Sequence, residues 1–232
     1  MEKKRQWLLT TTLFISLGLA ACGSQSVLSQ ADANTQTTTK TSTTSTTQTA
    51  SYFEASDLTA TYDESKASKI SLQGTTATVS GDGVTVNGST VEIRKAGTYI
   101  VEGTATNVQL KVAAGKEDEV QIVFKNATLK NTEAPLLVDT AKKVILTVAD
   151  GTKNEVADES TSTVKGAIYS DSDLTINGKG SLTVTGAASN AIKSKDGIRI
   201  VDATVTTTAK KTRCSSQRLR EHVRRDIKLN CR

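Results

Sequence analysis

The chain carries a recurring pattern in which one residue separates two apolar residues. The separating residue is polar in all but the third case, and successive triplets begin 29, 24, 30 and 24 residues apart. Alternation with a period of two predicts β-strands with one buried face, and a repeat of this length predicts stacked units of a few short strands. The triplets are Val91-Glu92-Ile93, Val120-Gln121-Ile122, Val144-Ile145-Leu146, Leu174-Thr175-Ile176 and Ile198-Arg199-Ile200.

The last two repeats align almost residue for residue at an offset of 24, so that Ala167-Ile168 matches Ala191-Ile192. Turn pairs such as Asn177-Gly178 separate the strands, and long helical patterns are absent. The sequence therefore predicts an all-β solenoid over residues 52–211, in which the apolar residues of each triplet point inward. We expect residues 52–70, with their scattered apolar side chains, to cap its N-terminal end.

The first 22 residues have the composition of a bacterial targeting segment. Three basic residues, Lys3, Lys4 and Arg5, precede a mostly apolar stretch that is too short to span a membrane comfortably. The segment ends in Leu19-Ala20-Ala21-Cys22, the pattern of a lipobox. We predict that Cys22 is lipidated and that two acyl chains anchor the protein to the outer face of the cytoplasmic membrane. The alternative is an ordinary secretory signal with a chance cysteine.

Two further segments flank the predicted domain. Residues 23–51 are rich in Ser, Thr, Gln and Ala with almost no large apolar side chain, which predicts a disordered tether. Residues 212–232 hold seven of the chain's 29 Lys and Arg but two of its 24 acidic residues, so the net charge of +5 comes from this tail and gives no argument for nucleic-acid binding. Because the strand pattern stops at residue 211, we interpret the tail as out-of-frame translation. A native basic amphipathic tail is the alternative.

Several segments within about residues 70–211 carry a resemblance to known proteins. They are Gly81-Asp82-Gly83-Val84, residues 91–103, residues 149–154, Ala167-Ile168-Tyr169-Ser170, residues 174–182 and residues 191–196. Together these segments resemble the carbohydrate-binding-domain family of secreted and lipoprotein bacterial proteins. The resemblance implies a right-handed parallel β-helix similar to that of pectate lyases, with plant-type polysaccharide and calcium as ligands. Family members continue for further coils, so we expect this solenoid to be incomplete at its C-terminal end.

We expect the domain to bind polysaccharide at the cell surface. Few aromatic side chains are available as stacking platforms, so binding is expected to rest on polar and charged groups. The candidate carbohydrate-binding residues are Lys193, Lys195, Arg199 and Tyr169, and acidic glycans are the natural ligands of the three bases. The alternative is that these bases are ordinary solvated residues of strands and turns.

Two other functions are compatible with the sequence. A structural or adhesive surface stalk requires no glycan ligand. A polysaccharide lyase requires a base that removes a proton and a cation that neutralises the uronate carboxylate. Between the targeting segment and the tail, however, Arg94 and Arg199 are the only arginines and no histidine occurs. Likeness in fold to lyases does not transfer their chemistry, so we predict that the protein is not an enzyme.

For a metal site, the candidate ligands are Asp171, Asp173 and Asp196. The offset of 24 aligns Asp196 with Ser172, so the three carboxylates are expected at the same corner of neighbouring coils. Calcium takes six to eight oxygen ligands, which carboxylates and backbone carbonyls at a solenoid turn can supply. The alternative is that these acidic residues are ordinary turn formers.

Overall fold

The structure is a computed structural model that describes residues 53–212, 214–215 and 218–219. These residues form one short helix, α1 (Ala55–Leu58), followed by a succession of β-strands. The strands are β1 (Ser68–Gly74), β2 (Thr76–Ser80), β3 (Val84–Asn87), β4 (Thr90–Ile93), β5 (Gly97–Thr106), β6 (Gln109–Ala113), β7 (Glu119–Asn131), β8 (Leu136–Thr140), β9 (Lys143–Val148), β10 (Lys153–Asp158), β11 (Gly166–Ser170), β12 (Asp173–Gly178), β13 (Ser181–Gly186), β14 (Asn190–Ser194), β15 (Gly197–Val201), β16 (Thr204–Ala209), β17 (Cys214–Ser215) and β18 (Arg218–Leu219).

Several predictions fall on other parts of the chain. The targeting segment with Cys22, the tether of residues 23–51 and most of the basic tail lie outside the described residues. Among the residues that the structure describes, no helix is long and apolar enough to cross a membrane.

Most strands pair in parallel with the strand one coil away, which gives an all-β, solenoid-like stack. One sheet, here called sheet B, has the order β17-β14-β11-β8-β6-β4-β3. The second sheet, sheet A, contains two parallel ladders that share β7. The first half of β7 pairs with β9, β9 pairs with β12, β12 with β15, and β15 with β18; we call this series ladder 1. The second half of β7 pairs with β10, β10 pairs with β13, and β13 with β16; we call this series ladder 2.

The apolar residues of the triplets fill the interior of the stack, as predicted. The first and last residues of all five triplets belong to one apolar cluster, and each is at most 4% exposed. The last four triplets stack directly on one another along ladder 1, since Val120 pairs with Val144, Val144 with Leu174, and Leu174 with Ile198. Burying a side chain of this size contributes about 1.5–3 kcal/mol, so the stacked rows account for much of the driving force for folding.

The first triplet lies in a different sheet from the other four. Val91 and Ile93 belong to β4 of sheet B, where they pair with Leu110 and Val112 of β6. The repeated triplet therefore marks strands of both sheets and not of a single one. The physical reason is that strands of both sheets bury one face and carry the same alternation, so spacing alone does not tell them apart.

The chain turns from ladder 1 to ladder 2 through residues in the left-handed region of backbone conformation. Gly103, Asn126, Gly178 and Asp202 have φ angles between 56° and 103° at this corner. Glycine, asparagine and aspartate are the residues that adopt such angles most readily. At Gly178 a Cβ atom would also lie 2.2 Å from the carbonyl oxygen of Val148 on the neighbouring strand, so the corner leaves no room for a side chain.

The N-terminal end of the stack differs from the prediction. Antiparallel hairpins stand there, because β1 pairs with β2 and β3 pairs with β4. Residues 53–66 do not cap the end but lie along the outer face of ladder 1, where α1 contacts β12 and β15. We call residues 53–66 the N-terminal strap. The scattered apolar residues that suggested a cap divide between it and the core, since Ile70 in β1 is fully buried.

The described part of the tail continues the parallel pairing. Cys214 and Ser215 pair with Ile192 and Lys193 of β14, and Arg218-Leu219 pairs with the start of β15. The Cys214 side chain is 8% exposed and belongs to the apolar core. The strand pattern therefore extends past residue 211, where the sequence predicts its end.

Candidate functional site

A row of outward-facing side chains crosses sheet B at right angles to its strands. Register places each member beside the next, one per strand. All are partly exposed, whereas the residues that alternate with them are buried in the core. Neighbouring strands lie about 4.8 Å apart, so a chain-like ligand across the strands meets one such side chain per coil. The members of this sheet B row are, in order, Glu92, Lys111, Leu137, Tyr169 and Lys193.

Two of the predicted carbohydrate-binding residues, Tyr169 and Lys195, meet a predicted metal ligand beside this row. Lys195 Nζ lies 5.9 Å from the centroid of the Tyr169 ring and 2.7 Å from a carboxylate oxygen of Asp171. Burial raises the pKa of the Tyr169 hydroxyl, and the neighbouring Asp171 carboxylate raises it further. The hydroxyl is therefore protonated at neutral pH and is able to donate a hydrogen bond.

Lys193 occupies the position next to Tyr169 on the neighbouring strand. Its ammonium forms no ion pair with the residues that the structure describes, which distinguishes it from the other bases near the row. Lys111 lies 3.2 Å from Asp139 and 3.9 Å from Glu92.

Arg199 is separated from the other three predicted carbohydrate-binding residues. It lies on the outer face of ladder 1, where its side chain is 12% exposed. Its Nη1 atom is 3.2 Å from Asp173 Oδ2, and its Nε atom is 3.6 Å from Asp57 Oδ2. The structure therefore brings Tyr169, Lys193 and Lys195 together and places Arg199 on the other sheet.

The three predicted calcium ligands do not form a common site. Asp171 contacts Lys195, and Asp173 contacts Arg199 while accepting a hydrogen bond from the Gly197 backbone N–H. Asp196 is exposed. No group of three or more His, Cys, Asp or Glu side chains within the described ranges is arranged to hold a metal ion. The residues present do not fit calcium at this corner, because two of the three carboxylates already face cationic partners.

A second polar cluster, which the sequence does not predict, lies between the strap and ladder 1. Asp57 of α1 is fully buried there; its Oδ1 atom accepts a hydrogen bond of 2.6 Å from the Thr175 hydroxyl and lies 3.0 Å from Lys143 Nζ. Its Oδ2 atom accepts a hydrogen bond of 2.9 Å from the Glu54 backbone N–H. Burial alone would raise the pKa of Asp57, but these hydrogen bonds and the Lys143 ammonium hold it below its usual value.

The sequence carries little signal for this cluster. Asp57 and Thr175 are 118 residues apart, and Asp57 lies outside the repeats in a segment without periodicity. The one available indication is Lys143, a long basic side chain directly before the buried triplet residue Val144. Lys143 is 1% exposed in the structure. Lysines are almost never fully buried unless an acidic group pairs with them, as Asp57 does here.

Known proteins are similar to part of this chain in sequence and in fold. A relative from Acetivibrio thermocellus, described as a carbohydrate-binding domain-containing protein, is 34% identical over 137 residues, which cover 55% of this chain and 48% of the relative. The chain thus spans about half the length of that protein. A solved structure of a polysaccharide lyase-like protein from C. thermocellum, a gadolinium derivative, is 31% identical with a TM-score of 0.57, over 60% of this chain and 61% of the other.

The family itself is defined by a match over most of the described solenoid. The family described as carbohydrate-binding domain-containing protein matches residues 87–217, a range that begins at the β3–β4 turn and includes all five strands of the sheet B row. This range is more than half of the chain. The chain belongs to the carbohydrate-binding domain-containing protein family.

Proposed function

We propose that this protein binds an acidic polysaccharide along the sheet B row. Family membership supports carbohydrate as the ligand class. The observation that carries the proposal is the position of Lys193, whose ammonium has no acidic partner among the described residues and stands beside the Tyr169 ring. A carboxylate on a sugar forms a charge-assisted hydrogen bond with such an ammonium, while the apolar face of the sugar packs on the aromatic ring.

The order of side chains along the row suits a polymer that lies across the strands. Leu137 and Tyr169 form an apolar centre, and Lys111 and Lys193 follow on either side of it. Lys195 adds a second ammonium next to the Tyr169 ring. Because Lys111 and Lys195 already contact acidic side chains, Lys193 is expected to contribute most of the selectivity for an anionic sugar.

We propose binding without cleavage. A lyase base must be deprotonated near neutral pH to accept the proton that elimination releases. Burial raises the pKa of Tyr169 in the row, and the hydrogen bond to Asp171 raises the pKa of Lys195 beside the row. Both shifts oppose a role as base. Ultraviolet absorbance during incubation with polygalacturonate tests this point, because elimination produces unsaturated sugars that absorb there.

Three further properties are proposals from the sequence. The solenoid is right-handed, in keeping with the strong preference for right-handed connections between parallel strands of one sheet. Cys22 carries a lipid that anchors the protein to the outer face of the cytoplasmic membrane, with residues 23–51 as the tether between anchor and domain. Calcium binding stays a prediction of the family resemblance, without a site among the acidic residues that the sequence suggests.

Calorimetric titration of the full mature chain with an oligogalacturonate tests the proposed function. We expect binding that is at least ten-fold weaker in Lys193→Ala, a loss of about 1.4 kcal/mol, and weaker also in Tyr169→Ala. Lys179→Ala is the matched control, because it removes the same charge from an exposed turn of the other sheet. A neutral oligogalactoside of equal length should bind more weakly than the oligogalacturonate.

Two results would contradict the proposal. Equal losses in Lys193→Ala and Lys179→Ala would show that net charge and not the row governs binding. Absence of binding to both saccharides would favour the structural or adhesive stalk.

A further inference from the structure

The strap presents a carboxylate to ladder 1 in the way a bound ligand would. Asp57 is fully buried, and its two carboxylate oxygens face cationic and hydroxyl groups of three different strands. Lys143 of β9 lies 3.0 Å from Oδ1, the Thr175 hydroxyl of β12 donates to the same oxygen at 2.6 Å, and Arg199 of β15 lies 3.6 Å from Oδ2. The carboxylate therefore spans three successive coils of the stack.

The backbone of the strap is held by the same face. The Asn177 side-chain amide donates hydrogen bonds to the carbonyl oxygens of Asp57 and Thr59, at 3.1 and 3.0 Å. By contrast, Leu58 between them is 61% exposed and contributes little apolar contact. This part of the strap is thus attached mainly through polar groups, which a polar ligand is able to replace.

We propose that Lys143, Thr175, Asn177 and Arg199 form a second saccharide-binding site, the ladder 1 patch, which takes the carboxylate of a uronic acid. Asp57 occupies this site within the chain, and an acidic saccharide competes with Asp57 and displaces the strap. The proposal is independent of the sheet B row, which lies on the other sheet.

The charges of the patch support an exchange of one carboxylate for another. The acidic partners of Lys143 among the described residues, Glu54 and Asp57, both belong to the strap. Arg199, in contrast, also contacts Asp173 of ladder 1 itself. Lifting the strap alone would leave the buried Lys143 ammonium without an acidic partner, which is costly. An incoming carboxylate restores the pair and so lowers the cost of opening.

Open space adjoins the patch, since Ile145, which lines this space, pairs with Thr175 of the patch. A cleft of about 360 Å³ lies between strap and sheet. Six of its nine lining residues carry hydroxyl, amide or carboxylate groups, which are able to form hydrogen bonds with the hydroxyl groups of a sugar. Its polar lining residues are Ser56, Thr59, Thr61, Thr98, Glu119 and Gln121.

The carboxylate site is tested by chemical rescue of Asp57→Ala in the full chain. The substitution removes the carboxylate and leaves space for a small anion. We expect acetate to raise the melting temperature of this variant by several degrees more than chloride does at equal ionic strength. Wild type and Glu64→Ala should show no such difference, because Glu64 is a strap acid that pairs at the surface with Lys125. Adding Lys143→Met to Asp57→Ala should abolish the response.

Each outcome of the rescue experiment is informative. If Asp57→Ala is unfolded in chloride, recovery of its β circular dichroism signal in acetate is the equivalent supporting result. The same response to acetate and chloride in Asp57→Ala, or the same acetate effect in wild type and Glu64→Ala, would overturn the site.

The saccharide is tested by hydrogen exchange of the strap amides in the Lys193→Ala protein, so that failure of the sheet B row does not affect the result. We expect trigalacturonate, but not neutral trigalactoside, to accelerate exchange of residues 53–66 by ten-fold or more. Unchanged exchange would overturn the competition between saccharide and Asp57. Acceleration by a glutamate peptide but not by trigalacturonate would assign the site to acidic peptides and overturn the saccharide.

Discussion

The Thr175 hydroxyl donates a hydrogen bond of 2.6 Å to the buried carboxylate of Asp57, which lies 118 residues earlier in the chain. Thr175 is the central residue of its triplet and points away from the core, yet it is fully buried because the strap covers it. The outer face of ladder 1 is therefore a second interior, polar instead of apolar. This arrangement changes what a substitution at an outward position is expected to do.

We expect Thr175→Asp to destabilise the fold by about 3 kcal/mol or more, since it places a second carboxylate beside the buried Asp57 and removes a donor. Leu174→Asp should also unfold the domain, because it buries a charge in the apolar core. The matched control is Thr183→Asp, an exposed outward position of β13 on ladder 2. Urea denaturation of the three variants measures the difference, and a Thr175→Asp protein as stable as Thr183→Asp would argue against the buried contact.

The pH dependence of stability should show the contribution of Asp57. Its pKa in the folded protein lies below the ordinary value of 3.8, so the ionised form favours the fold. This contribution is complete above the ordinary value and is lost as the pH falls through the lowered one. We therefore expect wild type to be more stable than Asp57→Asn at pH 7 and the difference to shrink below about pH 4. Thermal melts of both proteins between pH 7 and pH 2.5 check this, and a constant difference would contradict it.

Asp158 should behave in the opposite way. Burial raises the pKa of its carboxyl above the ordinary value, although the backbone N–H groups of Ala187 and Ala188 donate hydrogen bonds to it. The folded chain therefore binds this proton more tightly than the unfolded chain, and the ionised group costs stability at neutral pH. We expect Asp158→Asn to be more stable than wild type at pH 7, with the gain shrinking as the pH falls below the raised pKa and absent below the ordinary value of 3.8. A variant that is less stable at pH 7 would show that the carboxylate charge is needed there.

The corner between ladders 1 and 2 offers a test of the packing of the coils. We expect Gly178→Ala to be more destabilising than Gly151→Ala, although both glycines have positive φ angles, 103° and 70°. The added Cβ atom at Gly178 would meet the Val148 carbonyl oxygen, whereas no atom lies within 4 Å of the one at Gly151. The backbone strain that an alanine must adopt at a left-handed position costs about 1–2 kcal/mol, and Gly178→Ala should exceed this cost. Equal unfolding free energies would contradict the contact.

The sequence predicts the interior of this fold better than its outer surfaces. Val144, Leu174 and Ile198 stack as their spacing indicates. Burial of one face of a strand requires an apolar residue at every second position, and this alternation is visible in the sequence. The same period occurs in every strand, so it does not assign Val91 to its sheet. Contacts between the strap and ladder 1 leave no periodic pattern, and Asp57 is therefore not predictable as their centre.

The candidate site is predictable in part for the same reason. An offset of 24 places Tyr169 and Lys193 side by side, as the structure has them. Arg199 follows Lys193 by six residues, but the turn between β14 and β15 carries it to the other sheet. Residues that are close in sequence within one solenoid coil therefore do not necessarily share a face. The sequence also does not show that Asp57 of the strap contacts Arg199.

The proposed binding of an acidic polysaccharide along the sheet B row is tested most directly by a crystal structure of the protein with an oligogalacturonate. We predict a uronate carboxylate oxygen about 2.7–2.9 Å from Lys193 Nζ, with an adjacent sugar ring packed on Tyr169 and the saccharide lying across the strands of sheet B. A saccharide bound elsewhere, with Lys193 and Tyr169 facing solvent, would contradict the claim.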